Sequence, residues 1–276
     1  MKIIKFIKMQ SLGNDFVIID QLKNSHKFSK NQIKKICDRN YGIGCDQLLI
    51  IRKSSKLNIS FEYKIYNKDG SESGQCGNGA KCIAKYFFDK YKTRKKEIKI
   101  ETKTRKMVLR KCSNKNIEVD MGIPNINYNK IDTKISKFIY KGKKYLFSSV
   151  SIGNPHAVFL LKSIKGIDLE DFANKFNKKN FFKNGVNISL VENIMKNNWR
   201  ARIYERGSGE TMACGSASCA ISACLPTLVK DIYINNYVHM QGGKAQVKWS
   251  GKINEPIYLI GSAEYVYSGQ YKISYL

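Results

Sequence analysis

A chain of 276 residues, 42% hydrophobic and 11% aromatic, is long and apolar enough to fold around a substantial core. It lies near the size at which one domain becomes two, and no apolar run approaches the roughly 20 residues of a membrane span. The net charge of +27 invites a nucleic-acid reading, but the lysines are scattered among Asn and Ile (KNQIKK, YKTRKKEIK, NKFNKKNFFK) with no RNP-like, zinc-finger or helix-turn-helix pattern, so they read as solvated surface.

At the N-terminus, MKIIKFIKMQ carries lysines inside its short apolar stretch and no small-residue cleavage site, so a cytoplasmic protein is expected. FEYKIYN (61–67) alternates, is rich in β-formers and reads as a strand. CGNGAKCIAKYFFDKY (76–91) reads as a helix. NKNIEVDMGIPNINYNK (114–130) carries a strand and then Gly122 and Pro124, which suits a linker or hinge. WRARIYE (199–205) is again a strand. CGSASCAISACL (214–225) is a helix apolar nearly all round, and a helix without a polar face is buried. The last stretch, AEYVYSGQYKISYL (263–276), alternates like a strand and is expected to complete the first domain's sheet.

Laid against itself, the chain repeats. Ser11-Leu12-Gly13-Asn14 recurs as Ser151-Ile152-Gly153-Asn154 and Gln47 meets Asn187, both at an offset of 140. Ile65-Tyr66-Asn67 recurs as Ile203-Tyr204-Glu205, and Cys76-Gly77 as Cys214-Gly215, both at 138. Four matches in one order, with offsets held within two residues, argue for two copies of one unit. The expected fold is α+β: two pseudo-symmetric domains, each a mixed or antiparallel sheet wrapped around a central buried helix, with the active site in the cleft between them. The boundaries expected are 1–115 with a returning strand at about 264–276, and 116–263.

Eight cysteines (37, 45, 76, 82, 112, 214, 219 and 224) are expected as reduced thiols in such a protein. Cys214, Cys219 and Cys224 are five apart, which turns each about 140° from the last on a helix, so they do not converge on a metal. Cys37, Cys45, Cys82, Cys112, Cys219 and Cys224 read as small core hydrophobes. Cys76 and Cys214 differ: they are equivalent in the repeat, followed by glycines (Gly77, Gly79, Gly215) and set where a loop gives way to a helix. Free amides and the helix dipole at that position favour a thiolate, and glycines let amides approach an anion. Two such groups on opposite faces of an α-carbon, one deprotonated and one protonated, are what inversion in both directions needs. The convergent amides would stabilise carbanion charge spilling onto the substrate carboxylate.

Five blocks then become recognisable: KMQSLGNDFVIID (8–20), YGIGCDQLLI (41–50), YNKDGSESGQCGNGAKC (66–82), VSIGNPHAVF (150–159) and YERGSGETMACGSASC (204–219). In that order they resemble the diaminopimelate epimerases over nearly the whole chain. The resemblance implies interconversion of LL- and meso-2,6-diaminoheptanedioate without pyridoxal phosphate or metal, in lysine and peptidoglycan biosynthesis. It puts Cys76 and Cys214 in the places of acid and base. It implies substrate contacts from Asn14, Gln47, Asn67, Asn154, Asn187, Glu205 and Arg206, and a grip on the reacting carboxylate by Gly77-Asn78 and Gly215-Ser216. His156 and Glu205 resemble the pair that tunes the cysteines, and a homodimer is compatible with the resemblance. The residue types agree: amide side chains both donate and accept, Arg206 can grip a carboxylate bidentately, and Glu205 can meet an ammonium. Gln10-Ser11, Lys81, Val186 and Ala217 depart from the family pattern, and none removes a chemical group.

A proline racemase or hydroxyproline epimerase shares the two-cysteine logic but explains neither GNDF nor ERGSGET. A basic nucleic-acid-binding protein on the same scaffold would not need Cys76 and Cys214. A thiol redox protein lacks its C-x-x-C. The expected partner is therefore a small molecule, with no nucleic acid and no membrane.

Overall fold

The computed structural model describes residues 2–126, 135–229 and 233–273, so the ends of the segments 114–130 and 263–276 fall outside the described residues. The alternating segment FEYKIYN forms the strand Phe61–Asn67, burying Phe61, Tyr63 and Ile65 and leaving Glu62, Lys64 and Tyr66 half-buried. WRARIYE lies in the strand Asn198–Glu205, with Trp199, Ala201 and Ile203 buried. Two long helices follow these strands, one over Gly77–Tyr91 and one over Gly215–Val229. The chain divides into two units, 1–119 with 261–276, and 120–260.

In the first unit, strands Lys2–Ser11 and Asn14–Gln21 form a hairpin whose turn residues Leu12 and Gly13 both have positive φ. A crossover through the helix Lys30–Cys37 (α1) brings strand Gln47–Arg52 parallel to Asn14–Gln21. Ser29 and Gln32 close a capping box at the start of α1, a local signal worth about 1 kcal/mol. Phe61–Asn67 returns antiparallel and the short strand Glu72–Ser73 pairs beside it. The helix Gly77–Tyr91 (α2) then crosses to Glu97–Glu101, and Lys106–Lys111 continues antiparallel. Glu264–Ile273 pairs antiparallel with Lys2–Ser11.

The second unit repeats this order. Lys143–Ser151 and Pro155–Leu161 are antiparallel, and the helix Leu169–Asn177 (α3) crosses to Asn187–Met195, which runs parallel to Pro155–Leu161. Asn198–Glu205 returns antiparallel, Gly209–Thr211 pairs beside it, and the helix Gly215–Val229 (α4) crosses to Asn235–Met240. Even the registers correspond. Phe16 sits opposite Gln47 as His156 sits opposite Asn187; Leu48 opposite Tyr66 as Ile188 opposite Tyr204; Ile65 opposite Ser73 as Ile203 opposite Thr211. The pseudo-symmetric α+β class expected from the repeat is the class observed.

In each unit the second helix is the central one. α2 contacts strands Lys2–Ser11, Asn14–Gln21, Gln47–Arg52 and Lys106–Lys111, and α4 contacts Lys143–Ser151, Pro155–Leu161, Asn187–Met195 and Gly243–Lys248. Its opposite number covers the other face of the sheet. Val17, Ile19, Leu48 and Ile50 cluster with Ile33 and Ile36 of α1, while Phe16, Ile18, Leu49 and Ile51 are equally buried on the reverse side. Strand Gln47–Arg52 therefore reads as a continuous apolar run, because both of its faces are covered. The second unit's outer face is an aromatic cluster in which Phe172 and Phe176 of α3 meet Phe138, Phe147 and Phe159 edge to face.

Candidate active site

Two N-caps organise the site residues. Cys76, in an extended backbone conformation, caps α2, and its Sγ accepts from the Gly79 amide at 3.3 Å. Cys214 immediately precedes α4; its carbonyl accepts from the Ser218 amide, and the Ala217 amide three residues on favours its thiolate. Ordinary N-caps are Ser, Thr, Asp or Asn; at Cys76 sulfur takes the same place in the same i to i+3 bond. A thiolate in that position is stabilised by the amide and by the positive end of the helix dipole.

The two thiols sit in different surroundings. Cys76 is half-buried, whereas Cys214 is buried. Burial pushes the Cys214 thiol well above its ordinary value, and the Glu205 carboxylate adds to the rise by its charge and by accepting from the thiol. The Ser216 hydroxyl, 3.3 Å away, and the Ala217 amide pull the other way. Glu205 is itself held by the Thr211 hydroxyl at 2.7 Å.

In the first unit, Asn14, Gln47 and Asn67 come to one end of the sheet. Asn14 begins its strand, Gln47 begins the parallel neighbour, and Asn67 ends the antiparallel one opposite Gln47. Gln47 Nε2 donates to Asn67 Oδ1 at 2.9 Å, and Asn14 Nδ2 donates to Asp46 Oδ2 at 2.8 Å. Gly77 and Asn78 open α2, with Asn78 buried. In the second unit, Asn154 occupies the hairpin turn, Asn187 begins the strand beside His156, and Glu205 ends the next strand. Asn187 Oδ1 accepts from the Arg206 amide at 2.9 Å. The Arg206 guanidinium donates to the Asn184 carbonyl at 2.5 Å. Gly215 and Ser216 open α4.

His156 is fully buried, and its Nε2 lies 3.1 Å from Asn154 Oδ1. Burial drives its pKa down to about 3, so it is a neutral imidazole at physiological pH. It pairs with Asn154, while Glu205 is the group that faces a cysteine.

Several residues around these positions carry no spacing signal. Tyr63 is fully buried, and its hydroxyl stands where a Cβ on Gly79 would lie, 2.3 Å from Oη. Burial and the nearby Cys76 and Cys82 push that phenol well above its usual range. At the equivalent places in the second unit, 138 residues on, stand Ala201 and Ala217: a large-plus-glycine pair is exchanged for two small residues. Asp46 and Thr211, which hold Asn14 and Glu205, had only their place inside the quoted blocks to mark them. Among the described residues, no group of three or more His, Cys, Asp or Glu is placed to hold a metal ion.

The family model described as diaminopimelate epimerase matches residues 6–127 and 148–266. A diaminopimelate epimerase of Blochmanniella floridana is 40% identical over 96% of this chain and 98% of that relative. One from Buchnera aphidicola (subsp. Baizongia pistaciae) is 36% identical over 97% and 96%. Among solved structures, a Bacillus anthracis phenazine biosynthesis protein of the PhzF family matches with a TM-score of 0.72 at 17% identity, covering 99% of this chain and 100% of that one. A hydroxyproline epimerase from Agrobacterium vitis matches with a TM-score of 0.71 at 10% identity, covering 97% and 92%. These last two likenesses are of fold alone. With the family model spanning both units and relatives alike from end to end, the chain belongs to the diaminopimelate epimerase family.

Proposed function

We propose that this chain interconverts LL- and meso-2,6-diaminoheptanedioate by passing one α-proton between Cys76 and Cys214, serving lysine and peptidoglycan precursor synthesis without pyridoxal phosphate or metal. The observation that carries the reading is the pair of cysteines that stand immediately before the central helices, at the same place in a repeated unit, with the Gly79 amide bonded to the Cys76 sulfur and the Ala217 amide favouring the Cys214 thiolate. One thiolate takes the α-proton while the other thiol supplies one to the opposite face, and the roles exchange in the reverse direction. Carbanion charge on the substrate carboxylate is met by the amides at Gly77-Asn78 and Gly215-Ser216. Asn14, Gln47, Asn67, Asn154, Asn187, Glu205 and Arg206 supply the fixed array that a molecule with two amino-acid ends requires, and an analogue lacking the distal end leaves that array unpaired. Glu205 favours the protonated form of Cys214.

The test is turnover of LL-diaminopimelate by reduced protein with no added cofactor, followed by chiral chromatography, with L-proline and trans-4-hydroxy-L-proline run beside it. Appearance of the meso isomer, abolished in both Cys76→Ala and Cys214→Ala, supports the reading; turnover of proline alone replaces it with the racemase. The reading carries a cytoplasmic location and a homodimer with it, and sedimentation velocity tests the latter. No helix among the described residues is long and apolar enough to cross a membrane.

A further inference from the structure

Beyond the contact residues, a chain of hydrogen bonds runs away from Gln47 and ends on a carboxylate. Gln47 Nε2 donates to Asn67 Oδ1 at 2.9 Å, Asn67 Nδ2 donates to Ser71 Oγ at 3.0 Å, and Ser71 Oγ donates to Asp69 Oδ1 at 2.6 Å. The Ser71 amide donates to the same Asp69 oxygen at 2.8 Å, and the Asn67 amide to the Ser71 carbonyl at 2.9 Å, so the tight turn is clamped from both sides.

The direction of this chain is forced from its far end. An ionised carboxylate only accepts, so the Ser71 hydroxyl spends its single proton on Asp69 and offers a lone pair to Asn67. Asn67 must then turn its NH2 toward Ser71, because its carbonyl there would face another acceptor. Its Oδ1 is left toward Gln47, which must answer with Nε2. What remains is Gln47 Oε1, a buried acceptor without a partner among the described residues. Buried polar atoms are nearly always satisfied, so an orphan of this kind marks a place where a donor arrives. The corresponding position of the second unit is oriented the opposite way: Asn187 Oδ1 is taken by the Arg206 amide, so its NH2 is the group not used in that bond.

We propose that Asp69 and Ser71 are positioning residues that fix the amide of Gln47 carbonyl-outward, so that this position receives an ammonium N–H of the bound amino acid. The proposal rests on the epimerase reading for the identity of the ligand. Neither residue touches the ligand; each acts through Asn67 and Gln47. Ser71→Ala cuts the chain. Asp69→Ala permits its reversal, since the Ser71 hydroxyl, no longer held by the carboxylate, can donate to Asn67 Oδ1 and let Gln47 turn its NH2 toward the ammonium. Ser71→Thr keeps the hydroxyl.

Two measurements test this. In 15N-labelled protein without ligand, the Gln47 side-chain NH2 resonances, identified by their loss in Gln47→Leu, should shift in Ser71→Ala and Asp69→Ala and stay at their native positions in Ser71→Thr. With LL-diaminopimelate, KM should rise about tenfold or more in Ser71→Ala and Asp69→Ala while kcat changes less than about threefold, with Ser71→Thr close to wild type. A merely structural role for the turn would lower activity without that split and without rescue by threonine. Unshifted Gln47 resonances in both variants overturn the proposal, and so does an unchanged KM in both. If wild-type protein does not turn over diaminopimelate, the epimerase reading has failed, and the resonances alone decide whether the chain of bonds orients Gln47.

Discussion

Replacing Gly79 by alanine sets two effects of known size against each other. Alanine is favoured over glycine in a helix by about 1 kcal/mol at most, less in a first turn. Against this, the new Cβ would stand 2.3 Å from Tyr63 Oη and 3.2 Å from Leu49 Cδ1, and the Tyr63 ring has no free space, being wholly buried under α2. Overfilling a packed site costs roughly 1–3 kcal/mol, so the clash wins by about 1–2 kcal/mol, or roughly 2–8 °C in Tm. The backbone that must yield includes the amide bonded to Cys76, so activity should fall further than stability. Tyr63→Phe removes the offending oxygen, whose loss leaves nothing unpaired, and should restore most of both losses in the double variant. The assay is a double-mutant cycle of denaturant midpoints at fixed m, repeated with epimerisation rates. Ala201 and Ala217 are the second unit's own version of that relief. A stable Gly79→Ala, or strictly additive effects of the two substitutions, would refute the argument.

Asp15→Asn should destabilise by about 3–5 kcal/mol, because the buried Lys8 ammonium loses its carboxylate partner at 2.6 Å. Lys8 and Arg39 hold the Asp15 carboxyl down to about 2 against the opposing pull of burial. Since the folded value lies below the unfolded one of 3.8, this stability is present above pH 3.8 and lost as pH falls toward 2, by up to about 2 kcal/mol; Asp15→Asn should flatten that limb of the denaturation midpoint. His156, held near 3 against 6.5 when unfolded, should cost up to about 1.4 kcal/mol per pH unit as pH falls below 6.5, a slope that His156→Gln removes. Iodoacetamide at neutral pH should label Cys76 well before Cys214, and Glu205→Gln should narrow the gap by lowering the Cys214 thiol; mass spectrometry reads both sites.

The repeat was legible because backbone register is conserved wherever the pairing is: Gln47 and Asn187 sit 140 residues apart in sequence and at the same rung of equivalent strands. The thiol caps were legible for a related reason, since glycine beside cysteine at the foot of an apolar run is a local pattern with a local cause. The crossover helices α1 and α3 were missed. KNQIKKIC is short and lysine-rich, yet Ser29 and Gln32 spelled a capping box, and Asp168 with Glu170 and Asp171 gave the start of α3. The match of Tyr63 to Gly79 was not legible at all, because it is set by how α2 lies on the sheet, and no spacing in either segment encodes that contact. Nor was the difference between the thiols: Cys76 and Cys214 look alike in sequence, and only burial beside Glu205 separates them.

The central claim, two thiols acting on opposite faces of one α-carbon, is tested most directly in deuterium oxide at early conversion from LL-diaminopimelate. The donating thiol exchanges with solvent before it acts, so the meso product should carry deuterium at the inverted carbon while recovered LL substrate keeps its protium. Deuterium entering both isomers at equal rates would mean a single base serving both faces, and would contradict the account.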